Sequence, residues 1–267
     1  MARKVSKRKR PSRDDFLFKE RFKLESEVFD RSTLLTLSKL IGKGIFSTLD
    51  NPISTGKEAN VFRASVESGG FLAVKIYKLE TTRFMRRKEY LEGDQRFGKF
   101  RRTEREFVTA FAQKEYKNLQ ICEKVGVHAP RPLLQEKNVL VMEFLGEGGI
   151  PYTPLNELGP ESVSQLEGIL MDLRKLYKAG LVHADVSEYN VLVGRKPFLI
   201  DFGQGVLLSH PHSGDYLERD VGNIVKYFSK HGFGMDLGVA LRYVKGEGKL
   251  PGKAGKKKAE EGKKKKE

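Results

Sequence analysis

The 267-residue sequence holds one cysteine, Cys122, which excludes an internal disulfide and a thiol-based metal site and fits a reducing compartment. No apolar run approaches the roughly 18 residues of a membrane span, and the basic N-terminus carries no apolar secretory segment. The expectation is a cytoplasmic protein with no membrane partner. Acids are missing from residues 1–13, which carry seven Lys or Arg, while residues 246–267 carry nine Lys against four Glu. The tails thus supply most of the net charge of +15 and leave the body close to neutral. A basic body would mark a nucleic-acid-binding fold; basic tails on a near-neutral body suggest tethering to a polyanion, RNA first among them. Lys-rich tails that only keep a chain soluble, or suit a saline or hot habitat, would look the same. Lys, Gly and Glu cannot bury enough apolar surface to offset chain entropy, so both tails are expected to be disordered.

Two familiar phosphate-binding signatures are also missing. No Gly precedes Gly56-Lys57 at Walker A spacing, and no Gly-x-Gly-x-x-Gly occurs. What is there is residues 181–203, LVHADVSEYNVLVGRKPFLIDFG, with two carboxylates and an amide on two short β-prone segments. Asp185 and Asn190 flank a polar turn. Val191-Leu192-Val193 and Phe198-Leu199-Ile200 read as a hairpin, and Asp201 ends its second arm. In kinase-type phosphoryl transfer an aspartate before the turn orients the attacking hydroxyl, an asparagine five positions on holds one magnesium, and a later aspartate bridges magnesium to the phosphates. Asp185, Asn190 and Asp201-Phe202-Gly203 fit those roles. Asp-Phe-Gly alone would be an ordinary hairpin end; the whole constellation at this spacing points to phosphoryl transfer.

The remaining segments arrange themselves around that stretch. Residues 32–41 carry Leu34, Leu35, Leu37, Leu40 and Ile41 at helical spacing behind a Ser32 or Thr33 cap, and residues 16–30 are loosely amphipathic. Both are expected as helices on a first lobe. Residues 54–62 read as strand, turn and strand, in which Gly56 lets backbone amides approach phosphate oxygens and Lys57 adds charge; a plain hairpin turn reads equally well. Residues 71–77 form a strand whose one lysine, Lys75, matches the Val-Ala-Ile-Lys pattern. The helix expected over residues 103–124 sets Glu115 among Val108, Phe111, Ala112, Leu119 and Cys122 on one face. A carboxylate on an apolar stripe is costly unless paired, and Lys75 is the available partner. That pair would aim Lys75 at the α and β phosphates. Residues 83–100 read as a mobile loop over the site or a partner contact, and residues 127–132 as a proline-rich turn. Residues 139–145 form a buried strand running into Gly146, Gly148 and Gly149, as at a hinge, where backbone near Glu143 and Leu145 would meet an adenine with Met142 behind it. Residues 161–179 are a core helix stopped by Gly180, and residues 221–233 a further helix.

Together these residues resemble the RIO family of atypical protein kinases, its first branch most closely and in a compact, archaeal-type form, over about residues 30–233. The resemblance rests on Ser54-Thr55-Gly56-Lys57-Glu58-Ala59-Asn60-Val61-Phe62, Tyr90-Leu91-Glu92-Gly93-Asp94-Gln95-Arg96-Phe97, Met142-Glu143-Phe144, His183-Ala184-Asp185-Val186-Ser187-Glu188-Tyr189-Asn190 and Ile200-Asp201-Phe202-Gly203-Gln204. Ala184 stands where the family often has Gly. The resemblance implies an α+β, trimmed bilobal protein-kinase-like fold with a β-rich N-lobe and a mostly helical C-lobe lacking the peptide-docking segments. The expected organisation is a basic tail at 1–13, N-terminal helices with the small ATP-binding lobe at 14–147, the C-lobe at 148–245, and a Lys-rich tail at 246–267. The resemblance also implies ATP with magnesium or manganese, and Ser/Thr kinase or ATPase activity in small ribosomal subunit maturation. The subunit precursor and its rRNA would meet the basic tails, with a protein substrate besides. Lys75, Glu115 and Asp185 would be catalytic, with Asp201 a phosphate acceptor. Ser54, Gly56, Lys57, Val61, Lys75, Met142, Glu143, Leu145 and Asn190 would hold the nucleotide, and Asn190 and Asp201 the metal. Ala184 also replaces the Arg that reads activation-loop phosphate in ordinary kinases, so regulation by such a phosphate is not expected. Two rivals are a nucleotide-gated, rRNA-binding assembly factor that hydrolyses ATP slowly, and a small-molecule phosphotransferase, against which the tails and motifs count.

Overall fold

The structure, a computed structural model, describes residues 29–79, 89–94, 96, 97 and 103–250. The basic tail of residues 1–13, the amphipathic residues 16–28, most of residues 83–100 and the Lys-rich residues 251–267 lie outside the described residues. Helix α1 (Arg31–Gly42) starts earlier than its leucine spacing suggests because Asp30, not Ser32 or Thr33, caps it, accepting from the Ser32 N–H at 2.9 Å. Strands β1 (Thr48–Thr55), β2 (Ala59–Ser65), β3 (Phe71–Tyr77), β4 (Pro132–Glu136) and β5 (Val139–Glu143) form one antiparallel sheet in the order β1-β2-β3-β5-β4. Pro52 lies at a register shift in edge strand β1, where its missing N–H costs no central ladder bond. The proline-rich turn expected over residues 127–132 runs directly into β4, a strand that the sequence pattern does not announce.

Among the described residues two helices cover this sheet. On one face α1 packs Leu37 and Leu40 against Phe62, Val74, Ile76, Val139 and Val141. Side chains alternate along a strand, so Ala73, Lys75 and Tyr77 face the other way. There they meet α3 (Glu104–Val125), which Thr103 and Glu106 start with a reciprocal capping box and Gly126 ends in the left-handed conformation at φ 68°. Phe107, Val108, Phe111, Leu119 and Cys122 are buried on α3, and Glu115 is buried with them. Within the stretch expected to be a mobile loop or a partner contact, α2 (Glu89–Glu92) is a helical turn whose Tyr90 and Leu91 are buried, Tyr90 lying 5.2 Å from the Tyr216 ring.

The hairpin of β6 (Gly146–Glu147) and β7 (Ile150–Pro151) carries the chain into the second part. There β8 (Thr153–Pro154), α4 (Leu155–Leu158), α5 (Val163–Lys178) and β9 (Leu181–Val182) precede the hairpin of β10 (Val191–Val193) and β11 (Pro197–Leu199). Strand β12 (Val206–Leu207) then pairs with β9, and α6 (Ser213–Lys230) and α7 (Leu237–Lys245) follow. Leu166, Ile169, Leu170, Leu173 and Leu176 of α5 share a core with Val221, Ile224 and Phe228 of α6 and Ala240 and Val244 of α7. Helix α6 begins eight residues before the helix expected at residues 221–233, and α7 has no counterpart among the expected elements. Among the described residues no helix is long and apolar enough to cross a membrane.

Candidate active site

A cleft of about 730 Å³ runs between the sheet and the helical part, with Val61, Ala73, Met142, Leu145 and Leu192 on its apolar walls and Lys75, Glu115, Asn190 and Asp201 at its polar end. Strand alternation turns Lys75 into it. The ammonium Nζ stands 2.8 Å from the Glu115 carboxylate and 3.0 Å from Asp201 Oδ1. Burial works against its charge, but the Asp201 and Glu115 carboxylates outweigh burial and hold the ammonium above its ordinary pKa. Tyr77, two positions along the same face, donates its hydroxyl to Glu115 Oε2, and burial followed by the Glu115 charge pushes its phenol well above its usual range. Glu115 is therefore held by a cation and a neutral donor together.

Asp201 closes β11 in a left-handed conformation at φ 64°, its side chain 41% exposed. The turn that follows, a 3-10 turn over Phe202–Gln204, is gripped from α3. Lys114 donates to the carbonyls of Gly203, at 3.1 Å, and of Gly205. Asn118 Nδ2 donates to those of Phe202, at 2.8 Å, and Gly205, at 3.0 Å. Burial lowers the Lys114 pKa to about 7.

Facing this turn, Asn190 Nδ2 donates to the Asp185 carbonyl at 2.8 Å and to its Oδ2 at 3.2 Å, and Gln204 Nε2 donates to the same Oδ2 at 3.0 Å. The Asn190 amide nitrogen is thus committed to Asp185, which makes Oδ1 its ligand-capable atom. The Ile200 N–H donates to the Asn190 carbonyl at 3.0 Å, so backbone pairing sets the two metal-ligand candidates side by side. Beneath the loop, Asp220 accepts from the Ala184 N–H at 2.7 Å and the Val186 N–H at 3.0 Å, across an Ala184 held at φ 64°. Arg219 and Asn223 donate to the carbonyls of Ala184 and Val186. Burial raises Asp220 to about 7 against the pull of its two N–H donors. His183 is buried with its ring 4.4 Å from that of Phe202 and Nε2 3.0 Å from the Ile200 carbonyl. Burial lowers its pKa to about 4, so at neutral pH Nε2 carries the single ring proton and donates it.

At the other rim, Gly56 donates to the Ala59 carbonyl at 3.0 Å and accepts from Lys78 Nζ at 2.6 Å. A Cβ at position 56 would sit 3.0 Å from that carbonyl, a tight approach that glycine avoids. On the connector, the Glu143 N–H donates to Arg131 and the Leu145 carbonyl accepts from Tyr152. Ser54, Gly56, Lys57, Val61, Lys75, Glu115, Met142, Glu143, Leu145, Asn190 and Asp201 all line the cleft, and Asp185 joins them through Asn190 and Gln204. Sequence reasoning assigns no role to Tyr77, Lys114, Asn118, Arg219 or Asp220. Lys114 and Asn118 lie three and seven positions after Phe111, on its buried stripe, and that spacing was the signal available.

Asn190 and Asp201 offer hard oxygen donors, which fit magnesium or manganese. Among the described residues no group of three or more His, Cys, Asp or Glu forms a metal cage, so phosphate and water oxygens would complete the shell, as magnesium generally requires.

A lysine–glutamate pair facing an Asp-Asn-Asp set across a two-part cleft defines a protein-kinase-like phosphotransfer site. The chain matches the RIO domain over residues 60–238 and belongs to the RIO family. It is 35% identical over 252 residues to the RIO-type serine/threonine-protein kinase Rio1 of Haloferax volcanii, covering 92% of this chain and 87% of that one. To the protein of the same description from Thermoplasma acidophilum it is 40% identical over 185 residues, 69% of this chain and 98% of the other. It superposes on the Rio2 kinase of Chaetomium thermophilum with a TM-score of 0.60 at 23% identity, over 81% of this chain and 67% of that one. A Rio2 kinase-ADP/Mg2+-phosphoaspartate complex from the same organism gives 0.58 at 22% identity, over 81% and 66%. The fold is thus the α+β kinase-like one.

Proposed function

We propose that this chain is an ATP-dependent serine/threonine protein kinase and ATPase of the RIO type. The observation that carries the reading is Lys75, buried and held 2.8 Å from Glu115 and 3.0 Å from Asp201 at the polar end of the cleft. ATP would supply the γ-phosphoryl group, with magnesium or manganese at Asn190 and Asp201 neutralising phosphate charge. Val61, Ala73 and Met142 enclose the adenine, and the connector backbone at Glu143 and Leu145 meets its edge. Ser54, Gly56 and Lys57 cover the phosphates, while Glu115 keeps the Lys75 ammonium aimed at them. Asp185, its Oδ2 fixed by Asn190 and Gln204, takes the proton of the attacking hydroxyl. With a Ser or Thr hydroxyl the product is a phosphoprotein; with water the reaction is hydrolysis.

Asp201 offers a further route. Its carboxylate oxygen attacks the γ-phosphorus as the bond to the ADP oxygen breaks, and water then cleaves the acyl phosphate to restore the carboxylate. The phosphoaspartate of the Rio2 complex supports this reading. The basic tails support a place in small ribosomal subunit maturation, with precursor rRNA as the polyanion, in the cytoplasm. The same tails favour the second reading, a nucleotide-gated assembly factor whose slow hydrolysis serves release.

The test follows label from γ-phosphate into protein and into free phosphate, with magnesium, with and without the small-subunit precursor. Asp185→Ala should lower turnover by roughly 10²- to 10⁴-fold and keep nucleotide binding; undiminished turnover removes Asp185 from catalysis. Free phosphate that rises with the particle and outruns protein label marks the switch, whereas strong Ser or Thr label on an added protein marks the kinase. Hydroxylamine-resistant label alone removes Asp201 as acceptor.

A further inference from the structure

The turn presenting Asp201 owes its shape to side chains from another element. The carbonyls of Phe202, Gly203 and Gly205 all point at α3, where Lys114 and Asn118 meet them with the four hydrogen bonds described above. Both side chains are fully buried and sit one helical turn apart. A buried lysine is costly, and a methionine would fill similar space without that cost. The nearby carboxylate, Asp94, is engaged by Arg96 at 2.6 Å, so Lys114 directs its donors to neutral carbonyls. Asn118 Oδ1 has no hydrogen-bond partner among the described residues, and a buried amide left half-satisfied points to the importance of its donor end.

We infer that Lys114 and Asn118 are positioning residues that fix the backbone from Asp201 to Gly205 and thereby the direction of the Asp201 carboxylate. The inference rests on the reading of Asp201 as a metal ligand. Glu115, Lys114 and Asn118 ride on one helix, so α3 sets both members of the Lys75–Asp201 pair. Side-chain donors on α3 thus hold the turn that carries Asp201.

The full chain carrying Lys114→Met, Asn118→Leu or Asp201→Asn tests this. In metal-free, nucleotide-free protein, amide exchange over residues 202–206 should quicken about tenfold or more in Lys114→Met and Asn118→Leu, while the thermal midpoint stays near wild type. The magnesium needed for half-maximal ADP binding should rise about tenfold, the equivalent of one charge-assisted hydrogen bond. Unchanged exchange and magnesium dependence in both variants overturns the inference. So does loss of folding in both, which would make the two residues core-stabilising instead. If one variant fails to fold, the other decides. Asp201→Asn separates the two readings: if it leaves magnesium dependence untouched, the metal assignment falls, while the exchange result still judges the turn.

Discussion

His183 shows how burial sets a residue's chemistry. The unfolded chain protonates this imidazole near pH 6.5, the folded chain only near pH 4, because burial disfavours the cation. The stability this contributes is present above pH 6.5 and drains away as pH falls toward 4, by at most about 3 kcal/mol. Urea unfolding at pH 7 and pH 4.5 should show a drop in wild type that His183→Gln lessens; parallel losses would assign the acid sensitivity elsewhere. Residues of this kind differ in how openly the sequence shows them. Glu115 was legible because a carboxylate on an apolar stripe demands a partner, and the partner was a lone mid-strand lysine. Lys114 was not, since a helix lysine ordinarily extends its stem along apolar surface and keeps its head in water. Asp220 was only half legible: it too is a carboxylate on an apolar stripe, but its partners are two loop N–H groups, which no side chain in the sequence announces.

Among the elements, α2 most changes the expectation. Gly93, just after it, lies so close to the His210 ring that any Cβ there would collide with the imidazole. Gly93→Ala should lift the turn from Tyr216 and His210 and destabilise the fold by about 1–3 kcal/mol, the usual range for overpacking. The denaturation midpoint measures it, and an unchanged midpoint would mean that this packing is dispensable. Long, strongly periodic segments such as α3 and α5 could be read directly, as could the alternation of β3. Two-residue strands such as β9 and β12 could not, because two residues hold no period. Helix α6 begins earlier than its pattern suggests for a specific reason: buried Asp220 interrupts the stripe of Tyr216, Leu217, Val221 and Ile224, so the apolar pattern looks as if it starts after it. Strand β4 was masked by Pro130 just before it and Pro132 at its first position.

For the whole molecule, charge is concentrated at the ends of the chain. If the tails hold rRNA, removing residues 1–13 and 251–267 should flatten the dependence of log affinity on log salt by about 0.7–0.9 for each phosphate that the tails neutralise. Turnover of free ATP should stay unchanged. An unaltered salt slope would shift RNA binding to the body. The general plan of a β-rich part, a helical part and a cleft between them was legible from motif order, whereas the cross-links between parts were not, because they join residues far apart in the chain. Cys122 belongs to the same scale. Cys122 is 1% exposed in the shared core, and burial raises the pKa of its thiol, so the native protein is expected to be silent toward thiol reagents. Disulfide-exchange dyes should react only with molecules that have opened α3, which turns the native thiol into a gauge of opening. Any cysteine placed on the surface would then take a fluorophore or spin label alone, and distances between lobes could be followed without first deleting a native thiol.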